Sequence, residues 1–140
     1  MHTKLARLLA LAVGVLLVSA PANAAKLSYE CQFKEGGTWS YEDGMFDQVN
    51  SNDLAFTIDR VVAQSARLKG TKGSSPLKVV RAMDARHFIE VTVAGFLNIT
   101  TIYENGVGGR GMPAVHSRHL GIIGQPLVSQ YRGSCRRTSS

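Results

Sequence analysis

Apolar and polar residues alternate along this chain with a period of two in one stretch after another, the pattern of half-buried strands and not of helices. Residues 26–33 set it out: Leu27, Tyr29, Cys31 and Phe33 fall on one face, and Lys26, Ser28, Glu30 and Gln32 on the other. Leu54, Phe56 and Ile58 repeat it, and residues 64–69 and 77–82 flank a Gly/Ser/Lys-rich hairpin tip, residues 70–76. Residues 87–103, HFIEVTVAGFLNITTIY, predict the longest hairpin, because both arms are rich in β-branched and aromatic residues that suit a pleated surface. A two-residue loop at Ala94-Gly95 would set Val91 against Asn98 and mix wet with dry positions. A three-residue loop, Val93-Ala94-Gly95, gives the glycine the left-handed position. It pairs Ile89 with Ile99 and Val91 with Leu97 on one face and Glu90 with Asn98 on the other, and is the register expected. Residues 114–123 and 127–135 predict the last two strands, divided by Gly124-Gln125-Pro126. The pattern is weakest over residues 34–53. There Gly36-Gly37 is expected to turn the chain, residues 38–41 to extend, and residues 42–52 to hold a short helical turn or a loop.

About eight short strands without a long helix predict an all-β fold, an antiparallel, lipocalin-like barrel, with a β-sandwich as the alternative. The barrel is favoured by the cysteines. Cys31 lies in the first strand and Cys135 in the last, each on the apolar face of its strand. First and last strands lying side by side would close the sheet and remove its edges. In an oxidising compartment the two thiols most simply form one disulfide.

Residues 1–24 have the character of an export signal: Lys4 and Arg7, an apolar run over residues 8–18 too short to span a bilayer comfortably, and a small-x-small cleavage site at Ala22-Asn23-Ala24. The expectation is a signal peptide at 1–24 and a single domain at 25–140, periplasmic or secreted, with no transmembrane segment after cleavage. Without Lys4 and Arg7 the chain carries 14 basic and 10 acidic residues, a net +4. The charge is uneven: seven of the acids lie between Glu30 and Asp59, whereas only arginines (Arg110, Arg118, Arg132, Arg136, Arg137) follow Glu104. Such asymmetry could create an anion-attracting surface, unless the two halves pair across the fold.

No motif carries a specific chemistry. Gly106-Val107-Gly108-Gly109-Arg110-Gly111 has the letters of a dinucleotide fingerprint, but Met112-Pro113 and an extended run follow where a helix N-terminus must hold the pyrophosphate. It is expected to be a surface loop and a candidate lid. His116 and His119 would share one face of a helix but lie on opposite faces of a strand, which argues against a zinc site or a hydrolase built on them. Arg118, Gln130 and Arg132 are the residues expected to form a polar anion-binding face. Trp39 is a core or lid aromatic that could contact a ligand. The candidate binding residues are therefore Trp39, Arg110, His116, Arg118, His119, Gln130 and Arg132, with no catalytic residue, metal or cofactor assigned.

With Tyr29-Glu30-Cys31 at one end and residues 129–135, SQYRGSC, at the other, the chain resembles small exported β-barrel proteins of Gram-negative bacteria in which a first-strand cysteine meets one near the end. The periplasmic inhibitors of C-type lysozymes share that general look. The resemblance implies an envelope binding protein. It carries over no functional residue, and a net positive chain would be repelled by a basic lysozyme. The function expected is non-enzymatic binding of an unknown protein or small apolar ligand at a barrel mouth. The alternatives are attachment to anionic lipid or polysaccharide through the basic C-terminal third, and a hydrolase or metalloenzyme at His116 and His119. Nucleic acid is not expected as a partner, because the basic residues are not interleaved with aromatics.

Overall fold

The computed structural model describes residues 26–49, 52–105, 111–122 and 125–139, so the expected leader and Arg110, with the rest of residues 106–110, lie outside the described residues. The strands run in chain order as β1 (Leu27–Glu42), β2 (Met45–Val49), β3 (Leu54–Val61), β4 (Ser65–Gly70), β5 (Gly73–Ala82), β6 (Ala85–Val91), β7 (Phe96–Tyr103), β8 (Met112–Ile122) and β9 (Gln125–Ser139). From β3 to β9 each strand pairs antiparallel with the next, β9 returns to β1, and β1 pairs with β3. The result is a closed eight-stranded barrel, as the alternation predicts, with β2 as an extra strand beside the second half of β1.

Closure rests on β1 and β9. Cys31 and Cys135 sit directly opposite each other and are joined by a disulfide across 104 residues of sequence. Just beyond Phe33, a β-bulge at Lys34 shifts the register between Phe33 and Glu35. The bulge reverses which side chains of β1 point inward: Tyr29, Cys31 and Phe33 before it, and Thr38, opposite and bonded to the buried Ser129, after it. Gly133 faces the bulge so closely that a Cβ there would stand 2.0 Å from the carbonyl oxygen of Gln32. Gly36 leaves room for the Tyr131 ring, which already occupies the place of a Cβ.

Three sequence expectations need correction. Gly36-Gly37 does not turn the chain, because opposite β9 its small residues admit Tyr131 and keep β1 straight through to Glu42. The reversal comes at Asp43-Gly44, both with positive φ (50° and 86°), and residues 45–49 continue as a strand and not as a helical turn. The tip expected over residues 70–76 shrinks to Thr71-Lys72, with Pro76 inside β5. The β6–β7 hairpin has the expected register, Ile89 to Ile99, Glu90 to Asn98 and Val91 to Leu97, and Gly95 has a φ of 88°. Yet its apolar face is the outer one: Val91 is 76% exposed, whereas Phe88, Thr100 and Ile102 are buried.

Buried side chains form one cluster inside the barrel. Tyr29, Phe33, Phe56, Ile58, Leu77, Val79, Phe88, Ile102 and Ala114 fill it around the disulfide. Replacing both cysteines by serine should destabilise the domain by about 4 kcal/mol, the loop-closure entropy of a link this long. Urea unfolding of the Cys31→Ser/Cys135→Ser variant against the oxidised protein checks it, with a lower midpoint expected.

Candidate functional site

The two ends of the barrel differ. The end carrying the β3–β4, β5–β6 and β7–β8 connections is plugged. Glu104, its side chain 7% exposed, accepts a hydrogen bond from Tyr29 Oη (2.6 Å) and ion pairs with Arg86 (3.1 Å), Arg137 (3.3 Å) and Arg81 (3.4 Å). Burial alone would raise the Glu104 carboxyl, but the Tyr29 hydrogen bond and the three arginines outweigh it and hold its pKa below the ordinary carboxylate value. Tyr29 moves the other way, raised first by burial and then by its bond to Glu104.

The opposite end is open. A cavity of about 330 Å³ enters there, with an apolar wall of Leu54, Ala55, Phe56 and Leu68 and a polar wall of Glu90, Asn98, His116 and Arg118. Thr71 and Lys72, at the β4–β5 turn, form its rim. Strand alternation places the polar wall. Glu90, Asn98 and Arg118 are cross-strand neighbours on β6, β7 and β8, and Ser129 and Thr38 continue the row through a 2.9 Å hydroxyl contact. Glu90 accepts hydrogen bonds from Ser75 and from the Asn98 amide (2.8 Å). The Asn98 carbonyl oxygen is buried without a partner among the described residues.

His116 anchors the floor of the cavity. It is 2% exposed and its ring lies against those of Phe56, Phe33 and Tyr131, at 5.2, 5.9 and 6.2 Å between centroids. Arg118 Nε can only donate, so its 3.1 Å contact makes His116 Nε2 the acceptor and puts the ring proton on Nδ1, which donates to Thr100 Oγ1 at 2.8 Å. Burial first, and the Arg118 charge second, lower the His116 pKa to about 3, so the ring is neutral at physiological pH. The Arg118 guanidinium lies 5.7 Å from the centre of the Tyr131 ring. None of the ion pairs among the described residues involves it.

The remaining sequence candidates are not gathered here. His119 points outward between Leu97 and Val128, on the face opposite His116. Gln130 and Arg132 are also on the outer wall, Arg132 opposite Glu35 at 3.9 Å, so they share no face with Arg118. Trp39 lies outside as well, its ring over Gly37 and beside Val128, because the bulge turned that half of β1 over. Arg110 lies outside the described residues. Glu90, Asn98, Thr100 and Lys72 are the residues that sequence reasoning missed. The signal for Glu90, Asn98 and Thr100 was the polar alternation in the 87–103 hairpin, which marks an interior once the sheet is known to close, whereas Lys72 lies at the β4–β5 turn and has no such signal. Among the described residues no three His, Cys, Asp or Glu side chains converge as a metal site.

Fold and site define a small, disulfide-closed antiparallel barrel, sealed at one end and open at the other. Comparison with protein-family models, with curated proteins and with solved structures gives no match. The disulfide indicates an oxidising, non-cytosolic environment.

Protonation of His116 has a stability signature. Below its ordinary value of 6.5 the unfolded chain takes up a proton that the folded chain refuses until about pH 3. Stability from this group is therefore complete above pH 6.5 and falls by up to about 1.4 kcal/mol per unit as pH drops through that window. Glu104 adds to the loss only below its own ordinary value of 4.5. Urea midpoints measured from pH 7 to pH 5 should fall in the native protein and fall markedly less in His116→Gln, which keeps a donor and an acceptor but does not titrate.

Proposed function

We propose that this chain is an exported, non-enzymatic binding protein of the bacterial envelope whose barrel mouth takes a small ligand with an apolar body and one negatively charged group. The observation that carries this reading is an arginine outside every ion pair of the described residues: Arg118 stands at the cavity, held by His116 and Tyr131, while the Glu90 carboxylate on the same wall is occupied by Ser75 and Asn98. An arginine positioned by neutral neighbours keeps its outer N–H groups and its full charge for an incoming anion. Lys72 on the rim adds a second cation, and Leu54, Phe56 and Leu68 offer the apolar body its contact. A cavity of 330 Å³ is at the small end for ligand sites and suits roughly a dozen non-hydrogen atoms or fewer. Binding is favoured over catalysis because both nitrogens of His116, the one buried histidine among the described residues, are engaged and its pKa is too low for a general base at neutral pH. Export to the periplasm or beyond fits the disulfide and the signal-like leader.

Thermal unfolding in hexanoate or octanoate, against the alcohols of the same length, tests the reading. The carboxylates should stabilise the protein, by about 2.7 kcal/mol at a hundredfold excess over Kd, and the alcohols far less. Arg118→Gln should weaken carboxylate binding at least tenfold, the loss of about 1.4 kcal/mol or more expected for a charge-assisted contact. Equal stabilisation by alcohols, or none by any carboxylate, would contradict it.

A further inference from the structure

We infer that the sealed end of the barrel is a docking face for an anionic phospholipid surface. This rests on residues separate from the mouth. Arg81, Arg86 and Arg137 converge on the single carboxylate of Glu104, so the plug carries a surplus of positive charge at its centre. Arg81 and Arg137 are more than half exposed while making those pairs. Strand register brings Lys26, Arg60 and Arg136 to the same end, since Leu27 pairs with both Val61 and Ser139. Among the described residues, these six bases face Glu104, Asp84 and Glu30, the last spanned loosely by Arg136 at 3.9 Å, while Asp59 is matched by Lys69. The end is therefore net basic, and its charge comes from β3, β5, β6 and β9 and not from the C-terminal third alone.

What separates a lipid surface from a soluble polyanion is the apolar tips on the same end. Met83, at the β5–β6 turn, is 93% exposed with a φ of 51°, and Val62, at the β3–β4 turn, is 60% exposed. The Met83 turn is tied to the arginine cluster by the Glu104 N–H, which donates to the Asp84 carbonyl at 2.8 Å. A polysaccharide or polyphosphate would use the arginines and leave Met83 in water. An anionic bilayer satisfies the arginines with lipid phosphates and takes Met83 and Val62 between its headgroups. This face leaves the mouth directed away from the membrane.

Sedimentation of the oxidised protein with phosphatidylcholine vesicles, with and without phosphatidylglycerol, tests the proposal. Binding should require phosphatidylglycerol and decline as salt is raised. Each arginine lost should weaken it roughly fivefold, so Arg81→Gln/Arg137→Gln, which leaves Arg86 on Glu104, should lose roughly 25-fold. Met83→Ser, which removes no charge and no buried group, should weaken vesicle binding severalfold and leave the salt dependence unchanged. Lys78→Gln on the barrel wall should change nothing. The proposal is overturned if the protein ignores phosphatidylglycerol vesicles at low salt, or if Lys78→Gln is as damaging as a single arginine loss. It is also overturned if Met83→Ser binds like the native protein, which would make the partner a soluble polyanion.

Discussion

The pairing of β1 with β9 is the constraint on which the rest of the molecule depends. Without it the eight barrel strands are an open sheet whose inner face has nothing to pack against. With it, residues from both ends of the domain become direct neighbours, and Cys31 and Cys135 hold them there covalently. The seam also sets the shape of the site. Gly133 admits the bulge at Lys34, the bulge turns the second half of β1 over, and Thr38 then closes the polar row around the mouth.

Closure also explains how far the sequence could be read. The period-two pattern, the turn at Gly95 and the position of the two cysteines are local signals, and they carried the fold class, the hairpin register and the closing strand pair. They placed the inner face of β1 and β3 correctly, with Tyr29, Cys31, Phe33, Phe56 and Ile58 buried, but could not say which face of β6 and β7 is inside. In an ordinary two-layer sheet the apolar side is inward, but β6 and β7 hold Ile89, Val91, Leu97 and Ile99 outside and Glu90, Asn98 and Thr100 within. An interior row of polar residues is tolerable because it lines an open mouth and most of its members find polar partners, Glu90 with Ser75 and Asn98, Arg118 with His116, and Ser129 with Thr38, and those neighbours meet only in three dimensions. Trp39 was misplaced for a related reason: one bulged residue inverts everything after it, and no residue type announces a bulge.

The interior that results is graded. Tyr29, Ile58, Phe88 and Ile102 make a dry segment above the Glu104 plug, and the aromatic rings around His116 mark where it ends. Beyond that level polar side chains and solvent share the space. His116 stands at the boundary, buried enough to stay neutral and yet bonded to the one arginine that faces the cavity. A protonated ring could not accept from Arg118, so the neutral state of the histidine and the placement of the arginine are one arrangement. Arg118 at the concave mouth and the arginines around Glu104 at the other end are thus held in different surroundings, the first by neutral groups and the others by a shared carboxylate.

That coupling is open to direct measurement. Long-range nitrogen–proton correlation spectra of the labelled protein resolve which ring nitrogen of a histidine carries the proton. The account requires His116 to show a protonated Nδ1 and a bare Nε2, unchanged from pH 7 down to pH 5. A His116 that carries its proton on Nε2, or that titrates near pH 6.5, would mean that Arg118 is not held at the mouth as described.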